Sequence, residues 1–371
     1  MKKRYIFLIL FIPFAICIGS LLWYRSRPQP LPTVTPGPTP LVTATIPPSK
    51  ISSLDPAWSP DGSRIAYILI RDNIPTLVVR DLETGEELSL VEDAIEILSH
   101  TWSPLGDKIA FSAKFTEEAK EQIYTIHLES LQMQKLTNET RGVGRIFWSP
   151  TGDHIAYTDT ELDDFTFLTL INPNGGIQEF IEKIPSFSAI TWSPDGMLLG
   201  FTKYNLAETT SEITLKRLGQ PTYQTLSEEG TAIFELAWSP DAQWIAYTAY
   251  GIAWGEIHAI SLDGETILKL TDGVYDDHLP TWSPDGNTVA FLRSRSDDAA
   301  SAKDIFLISK RGDNLRQLTN TTFNEISFVW SPTGDQIAMT VADPMPPFLD
   351  VYIINIDDSG IYRLRDNSAY P

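Results

Sequence analysis

The 371 residues include one cysteine, Cys17, and it sits inside an apolar run. The rest of the chain therefore has no disulfide, no thiol nucleophile and no Cys-based metal site. Histidine is nearly as scarce, at five. No Gly-x-Ser-x-Gly elbow, no phosphate-cradling Gly-rich loop and no Asp-x-Asp-x-Asp-Gly calcium loop occurs. The signatures of serine hydrolases, P-loop enzymes and EF-hands are thus missing. Positive charge is short as well: 28 Lys and Arg face 48 Asp and Glu, a net of −20. Six of those basic residues and none of the acidic ones lie in 1–50, which leaves 22 against 48 beyond it, a net of −26. So acidic a balance argues against nucleic acid or an anionic membrane surface as partner, and it fits simple solubility equally.

Long apolar runs are absent with one exception. Residues 5–24 carry no charge and follow Lys2, Lys3 and Arg4. At about 1.5 Å per residue they reach about 30 Å, one hydrocarbon thickness. The run is longer than a signal-peptide core, and no small-x-small cleavage site precedes Arg25, so a retained single-pass anchor over 1–27 is expected over a cleaved leader. Residues 28–50 then hold eight Pro and five Thr. Such chain is extended and semi-rigid, a spacer without a core. The spacer and anchor together predict a membrane-bound protein with the remaining residues, 51–371, outside the cytoplasm.

What those residues contain is a repeat. Trp-Ser-Pro-Asp-Gly at 58–62 returns, whole or altered, from Trp102, Trp148, Trp192, Trp238, Trp282 and Trp330, at intervals of 44, 46, 44, 46, 44 and 48 residues. Pro, Asp and Gly in that order are the chemistry of a tight turn between antiparallel strands. Six copies keep the Gly; the fifth has Ala242, which predicts either strain or a changed turn. After each turn comes a short apolar strand with a small centre, such as Ile65-Ala66-Tyr67 or Ile245-Ala246-Tyr247. Two further strand-like stretches complete each unit. A fixed period of this length with four short strands predicts an all-β fold, a seven-bladed β-propeller of four-stranded antiparallel blades over 51–371. The units run in phase, so no strand is plainly left to lock the last blade to the first; the β-branched stretch at 42–46 is a candidate.

The repeated Trp-Ser-Pro-Asp-Gly followed by Ile-Ala-Tyr or Ile-Ala-Phe resembles the WD-like repeats of the TolB propeller family. Similar blades occur in the propeller domains of prolyl-oligopeptidase-type peptidases. The resemblance covers all of 51–371 and implies the fold. It implies little about activity, because propellers host many unrelated functions. Members such as TolB have a small α/β domain ahead of the propeller where this chain has a spacer, so their partners are not carried over. The peptidase relatives carry a hydrolase domain that has no counterpart here, so no serine hydrolase activity is expected.

Strand parity places every Ser-Pro-Asp-Gly turn on one rim. The other rim receives the loops expected at 113–122, 203–212, 293–304 and 342–350. Rigidly placed loops are where recognition concentrates. The aromatic and apolar candidates there are Trp254, Tyr250, Tyr204, Tyr275, Met345 and Phe348, with Trp254 favoured because 251–255 is apolar in a loop position. The connections before each Trp approach the central channel and carry polar candidates: His278, Asp277, Asp276, Glu96 and His100, with Asp55, Arg145, Glu235 and Glu325 at other blades. No catalytic residue, metal ligand or cofactor site stands out. The reading is a binding or scaffolding module for a protein or glycan of the cell envelope. The alternative is a channel-site enzyme or small-ligand binder, with or without a metal, of the kind seen in propeller lyases and lactonases.

Overall fold

Each Ser-Pro-Asp-Gly closes a hairpin. In the first, Gly62 N donates to Ser59 O at 2.9 Å and Ser59 N to Arg64 O at 2.8 Å. Gly62 takes φ 72°, the left-handed conformation the turn requires. The serine does more than mark the motif. Its hydroxyl donates to Asp61 Oδ1 at 2.5 Å and accepts from Arg64 N at 2.9 Å. Equivalent Ser–Asp pairs form at Ser193–Asp195, Ser239–Asp241 and Ser283–Asp285. The serine hydroxyl, helped by backbone N–H groups, holds Asp61, Asp195, Asp241 and Asp285 below the usual carboxylate range. Where Leu105 or Thr333 replaces the motif Asp, Asp107 or Asp335 receives the hydroxyl instead. Ala242 keeps the turn: its N–H reaches Ser239 O at 2.9 Å and its φ is 56°. The alternative of a changed turn is therefore ruled out, and the backbone carries a strain of roughly 1 kcal/mol relative to Gly.

The computed structural model describes residues 51–159, 165–205, 210–227, 230–251, 254–296, 301–344 and 347–365. These form seven four-stranded sheets, each with its strands in sequence order. All neighbouring strands are antiparallel, as in Ile51–Trp58 against Arg64–Arg71. The architecture is the expected seven-bladed propeller. Residues 1–50, with the expected anchor, the spacer and the 42–46 stretch, lie outside the described residues. Among the described residues no helix is long and apolar enough to cross a membrane. Two expected loops prove to be long hairpins: strands run to Asn205 and from Thr210, and to Pro344 and from Pro347.

The small strand centres let neighbouring sheets approach. Ala66 packs with Trp102, Ile109 and Phe111 of blade 2, while Ile65 and Tyr67 face Ala338, Val351 and Ile353 of blade 7. Ile65, Ala66 and Tyr67 are fully buried. Burying a side chain of the size of Ile65 is worth roughly 1.5–3 kcal/mol.

Two repeated contacts tie the blades together. Five motif Pro residues face the next motif Gly: Pro60 on Gly106, Pro104 on Gly152, Pro240 on Gly286, Pro284 on Gly334, and Pro332 back on Gly62; Gly196 meets Thr151 instead. Several indoles donate to the carbonyl just before the previous Trp, as in Trp102 Nε1 to Ala57 O at 2.9 Å and Trp192 Nε1 to Phe147 O at 3.0 Å. Trp58 makes the same bond across the seam, to Val329 O at 3.3 Å. Ser53 adds to the seam: its hydroxyl donates to Asp350 Oδ1 at 2.6 Å and accepts from Val351 N at 3.1 Å. Among the described residues blades 1 and 7 are thus joined by packing and side-chain bonds, each blade being built from one continuous stretch of chain.

Candidate functional site

The innermost strand of each blade ends at its Trp and walls the channel. Several of these strands carry a bulge three or four residues before the Trp, seen as a register shift between Leu54 and Ala57, Phe234 and Leu236, or His278 and Thr281. Asp55, Glu235 and Leu279 sit there with φ of 57°, 52° and 52°. A bulge re-aims side chains. Here it turns Glu235 so that Oε2 accepts Thr248 Oγ1 at 2.5 Å and Leu279 N at 2.7 Å, joining blades 5 and 6.

Around this bulge lies an arc of rings. Phe187 meets Tyr204 at 5.4 Å, Phe187 and Tyr204 meet Phe234 at 6.3 and 6.5 Å, and Phe234 meets Tyr250 edge-on at 5.5 Å. The arc continues to the His278 ring, 5.9 Å from Tyr250. Phe187, Tyr204, Phe234 and Tyr250 are all half-buried, so one side of the arc faces solvent on the rim away from the Ser-Pro-Asp-Gly turns. Each such ring pair adds roughly 0.5–1.5 kcal/mol beyond its burial, which keeps the shelf rigid.

The arc ends in a polar chain. Tyr250 Oη lies 2.8 Å from His278 Nδ1, His278 Nε2 lies 2.7 Å from Asp276 Oδ2, and Asp276 Oδ1 accepts Gly255 N at 2.9 Å. Which of Tyr250 and His278 donates in their contact follows from the imidazole tautomer. Gly255 is required for the approach: a Cβ on it would lie 2.5 Å from Asp277 O. Burial alone would raise the Asp276 carboxyl; the His278 ring, the Gly255 N–H and Lys303 outweigh it and hold Asp276 below its usual range. Burial and the nearby Asp276 and Glu235 charges push the Tyr250 hydroxyl well up. Tyr250 thus keeps its phenolic proton and is poorly suited to abstracting protons.

The remaining sequence candidates separate by environment. Asp277 is buried and paired in bidentate fashion with Arg293 at 2.7 and 2.8 Å. His100 is buried beside Asp55, Nδ1 to Oδ2 3.3 Å, in blades 2 and 1. Glu96 is occupied by Lys114 at 2.7 Å. Tyr275 is exposed, with the Arg293 guanidinium 5.2 Å from its ring centre. Trp254 and Phe348 are half-buried and outside the arc, and Met345 lies outside the described residues. Buried Glu325 accepts from Thr321 Oγ1 at 2.8 Å and sits 3.4 Å from Arg295, which also grips Asp304 at 2.8 Å through two nitrogens. Among the described residues no three His, Cys, Asp or Glu side chains are placed to hold a metal ion.

The structure thus joins Tyr204 and Tyr250 to His278 and Asp276, and adds Phe187, Phe234, Gly255 and Lys303, which sequence reasoning missed. The available signal was an apolar ring four or five residues before a blade's Trp, on strands whose other copies are mostly aliphatic or polar there.

A match to the TolB beta propeller domain family covers residues 42–163 and 182–344. An uncharacterized protein of Agrobacterium fabrum is 26% identical over 158 residues, 40% of this chain and 53% of its own length. The uncharacterized peptidase YuxL of Bacillus subtilis is 29% identical over 124 residues, 32% of this chain and 19% of its own. The matches therefore span less than two thirds of either relative. Among solved structures, the β-propeller domain of the Trilobed protease from Pyrococcus furiosus, described as having an open velcro topology, superposes with a TM-score of 0.67 at 15% identity, covering 87% of this chain and all of that one.

Proposed function

This chain belongs to the TolB beta-propeller domain family, and we propose that it is a membrane-tethered binding module whose channel mouth receives a protein or glycan of the cell envelope. The observation that carries the reading is the half-exposed arc Phe187–Tyr204–Phe234–Tyr250, flanked by polar groups that converge on the same rim. A rigid apolar surface with a few placed polar groups is what binding sites share. The uncharged stretch at 5–24 and the Pro-rich 28–50 support a tether with reach.

The test is capture of a partner from membranes of the source cells by the full-length chain in detergent. The Phe234→Ala and Tyr204→Ala variants should each retain at least tenfold less of it while still fully folded at the assay temperature, though with lowered unfolding temperatures, since anchor residues at such a site carry more than about 1.4 kcal/mol each. Undiminished capture by both variants would sink the assignment of the mouth. Placement has its own check. Protease added to spheroplasts, where a periplasmic and an extracellular domain are both accessible, should release a fragment containing 51–371 by cutting within 28–50, and a chain protected until the cytoplasmic membrane is broken would contradict the tether.

A second reading, an enzyme of the channel mouth, draws on the Tyr250–His278–Asp276 chain and on the peptidase name of one relative. The two readings part on Tyr250→Phe. Under the binding reading that variant leaves the captured partner chemically unchanged, as the wild type does. Turnover of the partner by the wild type that disappears in Tyr250→Phe would favour the enzyme.

A further inference from the structure

Arg145 stands on the innermost strand of blade 3, three residues before its Trp, and is half-buried in the channel wall. Its neighbour Gly144 lets the chain come close to blade 3's second strand; a Cβ there would sit 3.2 Å from Thr158 Oγ1. The guanidinium Nη2 donates to Ser188 O at 2.7 Å, and the guanidinium lies 5.8 Å from the Phe147 ring. Among the described residues no carboxylate lies within ion-pair distance of it. Of the buried cations, Arg80 and Arg293 each hold an acid at 3.0 Å or less, and Lys216, which also donates to a backbone carbonyl, still has Glu179 at 3.8 Å. Burial, with no charge acting on it, pushes the Arg145 guanidinium down to about 10, so it remains a cation at neutral pH. In a chain with 48 acidic residues an unpaired guanidinium in a channel wall is not explained by packing alone.

A second, independent observation lies beside it. Ser188 is 1% exposed, and its hydroxyl oxygen has no hydrogen-bond partner. Buried hydroxyls are usually bonded; the described residues leave four open, Ser188 with Thr214, Thr281 and Ser294, and Ser188 is the one that adjoins Phe187. Ser188 follows Phe187, the first ring of the arc. A guanidinium without an acid is thus bonded to the backbone carbonyl of the residue whose own hydroxyl has no partner, where the aromatic shelf begins. The fork of an Arg side chain matches a carboxylate through two parallel N–H bonds, and a serine hydroxyl can donate a third.

We infer that Arg145 and Ser188 form a receptor for a carboxylate, and that the ligand of the channel mouth presents this carboxylate next to an aromatic or apolar group that rests on Phe187 and Tyr204. The inference deepens the proposed binding function and rests on the mouth being the binding surface. The carboxylate can come from a chain terminus or from an acidic side chain; the receptor chemistry is the same.

The probes are N-acetyl-phenylalanine, its amide, and N-acetyl-aspartyl-phenylalanine amide, each titrated calorimetrically into the full-length chain in detergent. N-acetyl-phenylalanine should bind at least tenfold more tightly than its amide. The aspartyl probe tells which source fits: binding that equals or exceeds that of N-acetyl-phenylalanine assigns a side-chain carboxylate, and weaker binding assigns a terminus. In Arg145→Gln the preference for the acid should fall to about one, and in Arg145→Lys part of it should remain, with thermal unfolding confirming that both variants fold. Equal binding of acid and amide, no binding of either acid, or a preference that survives Arg145→Gln overturns the receptor. Absence of that preference in the wild type, with partner capture still dependent on Phe234, would end this inference alone. A preserved preference with capture indifferent to Phe234 and Tyr204 would end the binding-module reading instead.

Discussion

Replacing Asp277 by Ala is expected to destabilise the fold by roughly 3–5 kcal/mol. The Asp277 side chain is 0% exposed and that of Arg293 8%, and they share two bonds of 2.7 and 2.8 Å. The guanidinium is also enclosed by rings, its carbon lying 5.2, 5.3 and 5.1 Å from the centres of Tyr275, Phe291 and Phe306. Removing the carboxylate leaves a cation with nowhere to go. Burial already raises the Asp277 carboxyl above its usual range in spite of Arg293, which indicates how dry the pair is. Replacing both partners, as Asp277→Leu with Arg293→Met, should recover most of the loss, because well-packed apolar groups substitute for a buried pair at little cost. Denaturant unfolding of the two variants checks this. A single-variant loss below about 1 kcal/mol would mean that water reaches the pair and that Asp277 belongs to the channel after all.

Glu325→Gln should have the opposite sign and appear only at higher pH. Burial, aided by the Asp304 charge and opposed by Thr321 and Arg295, pushes the Glu325 carboxyl up from 4.5 to about 7. The folded state therefore binds its proton more tightly than the unfolded state. The stability that comes with the protonated group is fully present below about pH 4.5 and is lost as pH rises through about 7. Glutamine imitates the protonated form at every pH and can still accept from Thr321. The variant should match the wild type near pH 4.5 and exceed it by about 3 kcal/mol above pH 8. Equal stability across that range would place the Glu325 proton elsewhere, on Asp304 or in water.

The fold was legible because its information is local. Trp58 through Gly62 specify a turn by their own backbone preferences, and seven copies in phase leave few architectures. Even the departure at Ala242 could be read as a strain site, since a positive φ depends only on the missing Gly. The Ser59–Asp61 bond was not read, although it too is local, because Ser-Pro suggested a turn without suggesting which oxygen the hydroxyl reaches.

The site was legible only in pieces. Asp276, Asp277 and His278 are adjacent, yet Asp277 turns into the blade while its neighbours face Tyr250 and Gly255. Alternation along a strand accounts for that division, but the bulge after His278 shifts the register of everything beyond it. Phe187 and Phe234 come together from blades whose Trp residues are 46 positions apart, and no spacing rule links them. The open state of Arg145 and Ser188 depends on which acids fail to reach them, a property of the whole ring.

The account turns on the aromatic rim as the binding surface. Hydrogen–deuterium exchange of the full-length chain, with and without its captured partner, measures this most directly. The account predicts slower exchange in 186–190, 232–236 and 249–255, with the Ser-Pro-Asp-Gly turns unchanged. Slowing confined to those turns, at 59–62, 103–106 and 283–286, would put the partner on the other rim and contradict it.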